Sequence, residues 1–269
     1  MQYDPIKKSL GIFFNKSVIL RKLFYRLLDL LLLRTWHVKK ALKKISSKYP
    51  ENASVLDAGS GFGQYSWLMS SRFRQWNIKA IDIKEEQIED CKAFFTKTGR
   101  LGKVIFQKAD LITFNERDNY NIILSVDVME HIEDDMMVFN NLYRALKQGG
   151  ILLISTPSDK GGSDVHNPLE SSFIEEHVRD GYNIHEVQDK LRKAGFSNIK
   201  ARYTYGSPGK LSWLLSMKYP VKMLNFSYVF FLILPFYYLI VFPISIIFNI
   251  IDLYSNHKSG TGLLIEAEK

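Results

Sequence analysis

The sequence contains one cysteine, Cys91, and this scarcity excludes an internal disulfide framework. A chain without disulfides is expected in a reducing environment such as the cytosol. No secretory signal is evident either, because the leucine-rich run 27–33 is interrupted by Asp29 and no small-residue cleavage site follows it. We therefore expect the N-terminal segment to remain attached and Cys91 to be an ordinary thiol.

Acidic residues are scarce in residues 1–48, which carry twelve lysines and arginines against Asp4 and Asp29, a net charge of +10. The whole chain carries +8, so the remaining residues have a net charge of −2. A basic arm joined to a nearly neutral body is not a basic groove that crosses a fold. The charge distribution therefore argues against nucleic acid as a partner and favours an anionic membrane surface.

Apolar residues within this arm recur at helical spacing over residues 12–45. They lie three and four positions apart, whereas basic residues take the opposite face; the apolar positions include Leu20, Leu23, Phe24, Leu27 and Leu31. The pattern predicts one basic amphipathic helix that lies on a membrane surface. The alternative is that this helix packs on the body of the protein as a lid.

Charged residues are absent from the 29 positions Met223–Ile251. One continuous helix of that length would measure about 43 Å, and a bilayer hydrocarbon core is about 30 Å thick. We therefore predict membrane insertion, with a buried helical subdomain or a dimer interface as the alternative. Pro235 and Pro243 predict a bend or reversal within the segment, and the preceding run 211–218 is amphipathic.

The central part of the sequence alternates short β-rich runs with helical patterns. Strands are predicted near residues 54–58, 78–82, 103–107, 121–126 and 151–155, with helices at 64–73, 85–98 and 134–147. Gly149 and Gly150 are expected to end the last of these helices with a left-handed cap. A further helix at 184–194 and strands at 198–204 and 262–267 complete an α/β sheet protein.

A glycine-rich turn follows the first predicted strand, in the run VLDAGSGFG at residues 55–63. Residues without a Cβ let the backbone turn sharply under a cofactor and open a helix. Asp57 favours S-adenosylmethionine over a dinucleotide, because a carboxylate faces a cationic amino acid moiety well and a pyrophosphate badly. Gln64 also stands where a nicotinamide-binding loop has its third small residue.

Five motifs in this order resemble the class I S-adenosylmethionine-dependent methyltransferases. The carriers are VLDAGSGFG at 55–63, AIDI at 80–83, QKADL at 107–111, SVDVMEHIED at 125–134 and GGILLISTP at 149–157. The chain is most similar to the branch of ubiquinone and menaquinone O- and C-methyltransferases. The resemblance implies a Rossmann-like seven-stranded sheet in the order 3-2-1-4-5-7-6, with the last strand antiparallel. The catalytic domain would comprise residues 49–206 and 259–269, with 207–258 as a hydrophobic insertion.

The resemblance also implies residue roles. Asp57 would lie near the ammonium group of the cofactor, Asp82 would accept both ribose hydroxyls, and Asp110 would meet the adenine. The full set of expected cofactor-binding residues is Asp57, Gly59, Gly61, Gly63, Asp82, Ile83, Asp110, Leu111 and Asp127. Glu130 and His131 are the expected catalytic residues, with His131 deprotonating a hydroxyl acceptor. The alternative is that this pair only orders its loop.

Residues beyond Pro157 carry weaker signals. Arg179, Tyr182 and His185 are candidates for the acceptor side of the site. Four further residues, His166, Glu175, Glu176 and His177, match no recognised metal-ligand spacing, so we expect a solvated loop there and no metal.

The sequence thus predicts a methyltransferase at the cytoplasmic face of a membrane that methylates a lipophilic or lipid-linked acceptor, most simply on oxygen. A bilayer-resident acceptor would explain why a soluble fold carries two membrane-seeking elements. The first alternative is a membrane-anchored scaffold that has kept the fold without the chemistry. The second, a nicotinamide-dependent reductase, is disfavoured by Gln64.

Overall fold

The computed structural model describes residues 17–49, 51–161, 178–227 and 229–269. Its centre is a seven-stranded sheet in the order β3-β2-β1-β4-β5-β7-β6, which confirms the predicted topology. The first five strands in the chain are parallel, and β7 is antiparallel to both of its neighbours. The strands are β1 (Ser54–Ala58), β2 (Asn77–Asp82), β3 (Val104–Lys108), β4 (Tyr120–Val126), β5 (Leu146–Pro157), β6 (Ser197–Thr204) and β7 (Gly262–Glu268).

Helices cover both faces of this sheet and enclose two apolar cores. One core lies between the sheet and the helices α1 to α4, and the other lies beneath α5 and α6. These helices are α1 (Val18–Leu31), α2 (Leu33–Ser46), α3 (Gln64–Arg72), α4 (Glu85–Lys97), α5 (Asp135–Ala145) and α6 (Ile184–Lys193). Side-chain caps fix three of the helix starts, since Ser17 accepts from the backbone N–H of Ile19, Asp134 from that of Met137 and Asn183 from that of His185.

Two local predictions are wrong. The helix before β5 ends at Ala145 rather than Lys147, because Leu146 already has an extended backbone. Gly149 does have a left-handed φ of +72°, but it turns the chain within the first part of β5 instead of capping the helix. Glycine is favoured at that turn for the same reason as at a cap, so the sequence pattern alone does not separate the two.

The N-terminal arm is not one helix over residues 12–45. Leu32 has an extended backbone, with φ −91° and ψ +108°, and it separates α1 from α2. Both helices pack against the body of the protein, since Tyr25 of α1 and Leu42 of α2 belong to the first core. Residues 12–16 of the predicted helix lie outside the described residues.

The hydrophobic insertion forms a helical hairpin. Its first arm comprises α7 (Ser207–Trp213), a π-helical turn (Leu214–Lys218) and α8 (Tyr219–Phe226), and its second arm is α9 (Phe230–Tyr254). The arms are antiparallel, because the Ser212 hydroxyl donates to the carbonyl of Ser245 whereas the Tyr238 hydroxyl donates to that of Ser216.

The reversal predicted at the prolines of this insertion is wrong. Helix α9 continues through both Pro235 and Pro243, and the chain instead turns back between Phe226 and Phe230. The hairpin connects two neighbouring strand ends, since Thr204 at the end of β6 pairs with Gly262 at the start of β7. The hairpin therefore projects from the edge of the sheet formed by its last two strands.

Candidate functional site

The glycine loop after β1 has the backbone that the sequence predicts. Gly59, Gly61 and Gly63 all have left-handed φ angles, of +85°, +49° and +75°. A Cβ on Gly59 would lie 2.2 Å from a methyl carbon of Val128, so glycine is required there by packing as well as by φ. A Cβ on Gly61 would have its nearest neighbour, the Oε1 of Gln87, 3.8 Å away. The loop therefore leaves open space over Gly61, where a ligand can approach the backbone.

Asp82 ends the neighbouring strand β2 and faces this loop. Its Oδ2 accepts from the N–H of Gly61 at 2.8 Å, and its Oδ1 accepts from the N–H of Lys84 at 2.9 Å. Each carboxylate oxygen can accept a second hydrogen bond. Asp82 thus holds the glycine loop in place and keeps acceptor capacity for hydroxyl groups, as the predicted ribose contact requires.

Asp57 lies beneath the same loop and is almost fully buried. The Ser66 hydroxyl donates to its Oδ2 at 2.6 Å. Burial, with a smaller contribution from the charge of Asp82, raises the pKa of Asp57 to about 7. A cationic group near the loop would favour the ionised form of this carboxyl group, which is consistent with the predicted ammonium contact.

The predicted adenine side lies at the ends of β2 and β3. Asp110 accepts from the N–H of Ile112 at 2.8 Å and thereby fixes the turn after β3. Leu111 is buried, whereas the Ile83 side chain is 60% exposed beside Asp82. An exposed apolar side chain at a strand end gives an aromatic ring a surface on which to lie, so Ile83 remains a predicted adenine contact.

Asp127 lies at the end of β4 in a left-handed conformation, with a φ of +52°. Its backbone N–H donates to the carbonyl of Ser155 on β5, and its carboxylate forms an ion pair with Arg34 of α2. Tyr65 is near the same guanidinium group. Sequence reasoning missed Arg34, because nothing in the local pattern of α2 marks a contact with a residue so far along the chain.

Glu130 and His131 lie in a single 3₁₀ turn, Met129–His131, but in different surroundings. Glu130 is 1% exposed, and its Oε2 accepts from the Thr156 hydroxyl at 3.0 Å. Burial raises the pKa of this carboxyl group. His131 is partly exposed at the rim of the site. In this arrangement Glu130 orders the turn, and His131 is the member of the pair that a substrate can reach; their catalytic roles remain predictions.

Two of the proposed acceptor-side residues instead stabilise the segment between the 3₁₀ turn and the start of α5. Tyr182 is 1% exposed, and its hydroxyl donates to Asp135 at 2.8 Å, so the expectation that it lines an open site is wrong. Arg179 forms an ion pair with the same Asp135 and donates to the carbonyl of Ile132. His185 is exposed near the edge strand β6, on the far side of the sheet order from β1.

A clamp from α1 on the glycine loop was also missed. Arg21 is buried, and its guanidinium donates to the carbonyls of Phe62 and Asp90 at 3.0 and 3.2 Å. The Tyr25 hydroxyl donates to the same Phe62 carbonyl. The helical periodicity places Arg21 with the other basic residues on the outward face of a surface helix, so the sequence pattern predicts the opposite orientation. Beside it, burial raises the pKa of the Cys91 thiol to about 12, which makes this cysteine unreactive.

The residues present fit an S-adenosylmethionine molecule. Ser60 in the glycine loop and Ser125 at the end of β4 have buried hydroxyls without a hydrogen-bond partner in the described chain. Buried polar atoms are normally paired, so these two hydroxyls mark positions where a polar ligand belongs. They lie with Asp57 and Asp82 at the carboxyl edge of the sheet, where open α/β folds bind ligands.

No metal ligands accompany this arrangement in the described ranges, where no three His, Cys, Asp or Glu residues could hold an ion. His166, Glu175, Glu176 and His177 lie outside the described residues.

Comparison with known proteins identifies the class. Residues 50–206, more than half of the chain, match the family described as a methyltransferase domain, so the chain belongs to that family. The match confirms the expected fold and supports S-adenosylmethionine as the cofactor. A phosphoethanolamine N-methyltransferase of Haemonchus contortus, solved with S-adenosyl-L-methionine, has the same fold, with a TM-score of 0.57 and 21% identity over 81% of this chain and 49% of that chain.

Curated relatives cover parts of the sequence. A phosphoethanolamine N-methyltransferase of Arabidopsis thaliana is 30% identical over 174 residues, which are 61% of this chain and 32% of that protein. A ubiquinone biosynthesis O-methyltransferase of Rickettsia canadensis is 26% identical over 117 residues, which are 43% of this chain and 48% of that protein. The chain thus spans between a third and half of the length of these relatives, and the quinone branch is only weakly supported.

Proposed function

We propose that this protein transfers a methyl group from S-adenosylmethionine to an oxygen atom of a lipophilic acceptor in the membrane, working from the cytoplasmic face. When bound, the cofactor supplies an electrophilic methyl group. The observation that carries the membrane part of the proposal is the helical hairpin, whose long helix α9 has an apolar outer surface and whose two arms make polar contacts with each other. The relatives are named for oxygen and nitrogen acceptors, so the atom that receives the methyl group is part of the proposal.

The outer surface of α9 suits hydrocarbon rather than water. The helix is the one in the described chain that is long and apolar enough to cross a membrane, with a mean hydropathy of 2.4 and only 11% of its 18-residue apolar window buried. Its exposed side chains include Leu232, Phe236, Leu239, Ile240 and Ile247. An apolar surface of this extent on a water-soluble protein is an aggregation hazard, whereas in a bilayer it is stable.

Polar contacts lie between the arms of the hairpin instead. The Ser212 hydroxyl donates to the Ser245 carbonyl, and the hydroxyls of Tyr237 and Tyr238 donate to carbonyls of the π-helical turn. Small polar residues at helix contacts and hydrogen bonds between helices are typical of packing within membranes. In the hairpin the polar groups lie between the helices and the apolar side chains of α9 lie outside. A pair of helices in a water-soluble protein has the reverse distribution.

The pairing of the last two strands supports one mode of insertion. Because β6 and β7 pair in one sheet, the two ends of an inserted hairpin would lie on the same side of the membrane. A single crossing would place β7 on the far side and leave an unpaired sheet edge. We therefore propose a monotopic, re-entrant insertion from the cytoplasmic side.

Helix α1 supplies a second membrane contact. With Arg21 and Tyr25 turned inward, its outer face presents Ile19, Leu23 and Leu27, and Ile19 is 77% exposed. Lys22 and Arg26 belong to the same helix, and cations beside an apolar stripe are the pattern of a helix that lies on anionic lipid. In this proposal α1 contacts the membrane and holds the glycine loop at the same time.

The residues of the site then have distinct tasks. The glycine loop, Asp57 and Asp82 hold the cofactor, and Ile83, Asp110 and Leu111 hold its adenine. At the rim, the partly exposed His131 accepts the proton of the acceptor hydroxyl. Glu130 keeps the turn in place through Thr156. Alignment of donor and acceptor supplies much of the rate in such reactions, up to about 7–11 kcal/mol.

The test is incubation of the full chain with methyl-labelled cofactor and total membrane lipids of the source organism in detergent. We expect label in the organic extract, and mass spectrometry of the product identifies the acceptor atom. The Gly61→Ala variant is the matched control. Cofactor binding without any labelled lipid would support the scaffold hypothesis, and label in water-soluble compounds only would contradict a lipophilic acceptor.

A further inference from the structure

A second cavity lies beside the edge strand β6, away from the glycine loop. It has a volume of about 290 Å³, and the side chains around it include Ile184, His185, Arg202, Tyr203, His257 and Lys258. Among the residues that the structure describes, none that lines it is acidic. The strands β4, β5 and β7 separate β6 from β1 in the sheet, so this cavity is distinct from the cofactor site.

Arg202 is one of the basic residues that line this cavity. Its side chain is half-buried, and no hydrogen bond or ion pair to its guanidinium occurs within the described parts of the chain. Burial lowers the pKa of Arg202, against the attraction of Glu266 and Asp252. Both of those carboxylates have other partners, because Glu266 is ion-paired with Lys44 and Asp252 accepts from histidine and backbone donors. A half-buried guanidinium without a paired anion is costly, so the site is suited to an anion from outside.

One wall of the cavity is fixed before any ligand arrives. The Nε2 of His257 lies 3.0 Å from the Oδ2 of Asp252. A Cβ on Gly206 would lie 2.1 Å from the imidazole ring of His257, so the ring can pack against this backbone only with glycine at that position. Tyr203 pairs with His257 in an isolated β-bridge. The wall is therefore held by hydrogen bonds and packing.

The location of the cavity indicates the source of the anion. Residues 255–258 follow directly on α9, the helix that is apolar enough to enter a bilayer. With the hairpin inserted, the base of α9 lies at the level of the lipid headgroups. Basic pockets at the ends of membrane helices bind lipid headgroups, and guanidinium geometry suits phosphate.

We propose that this cavity binds the phosphate group of a phospholipid headgroup through Arg202, His185 and Lys258. The inference rests on the membrane insertion in the proposed function and does not depend on methyl transfer. Bound headgroups would hold the hairpin at a fixed depth, which keeps the catalytic domain at a fixed distance from the bilayer.

The test compares flotation of the full chain with two kinds of vesicle. One kind consists of digalactosyldiacylglycerol, which carries no phosphate, and the other contains phosphatidylglycerol in addition. We expect Arg202→Gln to lower the affinity for the phosphatidylglycerol vesicles by about tenfold or more, the effect of losing one charge-assisted hydrogen bond. Affinity for the galactolipid vesicles should not change. Unchanged binding of S-adenosylhomocysteine will show that the variant is folded.

Two further variants separate a site from general surface charge. Arg192→Gln removes a cation of equal charge from the exposed side of α6 and should reduce binding much less. Arg202→Lys keeps the charge but loses the planar donor geometry and should not restore full affinity. If Arg202→Gln bound phosphatidylglycerol vesicles as tightly as the wild type, the proposed site would be wrong. The same conclusion would follow if Arg202→Lys bound these vesicles with full wild-type affinity.

Soluble anions provide the last comparison. Calorimetric titration of the detergent-solubilised protein with inorganic phosphate should give no binding in the range where the vesicles bind. Tight, Arg202-dependent binding of inorganic phosphate without any preference among vesicles would mean a soluble ligand and would contradict a headgroup site. Loss of all vesicle binding by the wild type would instead contradict membrane insertion itself.

Discussion

His37 of α2 and Asp252 at the end of α9 form a buried hydrogen-bonded pair, with the Nε2 of His37 2.9 Å from the Oδ1 of Asp252. Both side chains are almost fully excluded from solvent. Asp252 also accepts from the backbone N–H groups of Tyr205 and Gly209. One carboxylate thus joins the N-terminal arm, the start of the hairpin and its end, and it fixes the hairpin to the catalytic domain.

Replacement of His37 by alanine should destabilise the protein by about 3–5 kcal/mol, the usual effect of breaking a buried pair from one side. Thermal unfolding followed by circular dichroism measures this. A change of a few tenths of a kcal/mol would mean that the hairpin is anchored by other contacts. Lys43→Ala, a change at an exposed position further along α2, is the matched control.

The surroundings of His37 also predict how the stability of the protein depends on pH. Burial lowers the pKa of His37 below 6.5, although Asp252 opposes this shift. The unfolded chain therefore takes up a proton at this histidine at a higher pH than the folded protein does. As a result, the free energy of unfolding decreases as the pH falls below about 6.5. Asp57 and Glu130 act in the opposite sense, because burial raises their pKa values. The difference in melting temperature between wild type and His37→Asn should therefore shrink from pH 8 to pH 5.5, and a constant difference would contradict the prediction.

Two glycine variants should separate cofactor binding from folding. Gly61→Ala has room for its Cβ and should cost only about 1–2 kcal/mol for the left-handed conformation, yet the methyl group occupies the space over the loop. We expect a folded protein with cofactor affinity lowered at least tenfold. Gly59→Ala places its Cβ against Val128 and should instead lower the melting temperature strongly. Calorimetry with S-adenosylhomocysteine, together with thermal unfolding, measures both effects.

Asp82→Ala should weaken cofactor binding without unfolding the domain. A hydrogen bond to a charged group contributes about 1.5–3 kcal/mol, so the affinity should fall by roughly 10- to 150-fold. Glu89→Ala, a change of equal charge on the exposed side of α4, serves as the control. If a folded Asp82→Ala protein bound cofactor as tightly as wild type, Asp82 would be removed from the ribose site.

His131→Ala should lower turnover by about 10²–10⁴-fold and leave cofactor affinity nearly unchanged, since the imidazole acts on the acceptor. Turnover at saturating acceptor and calorimetry with S-adenosylhomocysteine measure the two effects. Unchanged turnover of the folded variant would leave His131 with a structural role only.

Single cysteines test the topology of the hairpin. In a Cys91→Ala background, cysteines at Lys210 and Asn256 mark its two ends, and one at Asn225 marks its tip. All three positions are exposed. A membrane-impermeant thiol reagent should label the two ends from the cytoplasmic side only. Labelling of the tip from the opposite side would mean that the hairpin crosses the whole bilayer, and labelling of the two ends from opposite sides would contradict the pairing of β6 with β7.

Local patterns in the sequence were sufficient for the sheet and its cofactor loop. The run at residues 55–63 predicts a strand, a left-handed turn and a helix start, because these features depend on the backbone freedom of glycine and on apolar residues next to it. The strand order followed from the resemblance of five motifs in sequence. Asp82, Asp110 and Asp127 lie at or shortly after the ends of β2, β3 and β4, and parallel strands bring their carboxyl ends to one edge.

Contacts between distant segments were decided by the tertiary structure alone. Periodicity marks which residues share a helix face, but it does not say whether that face meets a core or a membrane; Arg21 is inward because the carbonyls of Phe62 and Asp90 accept from its guanidinium. The partners Arg34 and Asp127 lie far apart in sequence, and so do His37 and Asp252. The amino acid sequence thus determined the elements and the cofactor chemistry, whereas the placement of the arm and the hairpin depended on side-chain packing that only the assembled chain creates.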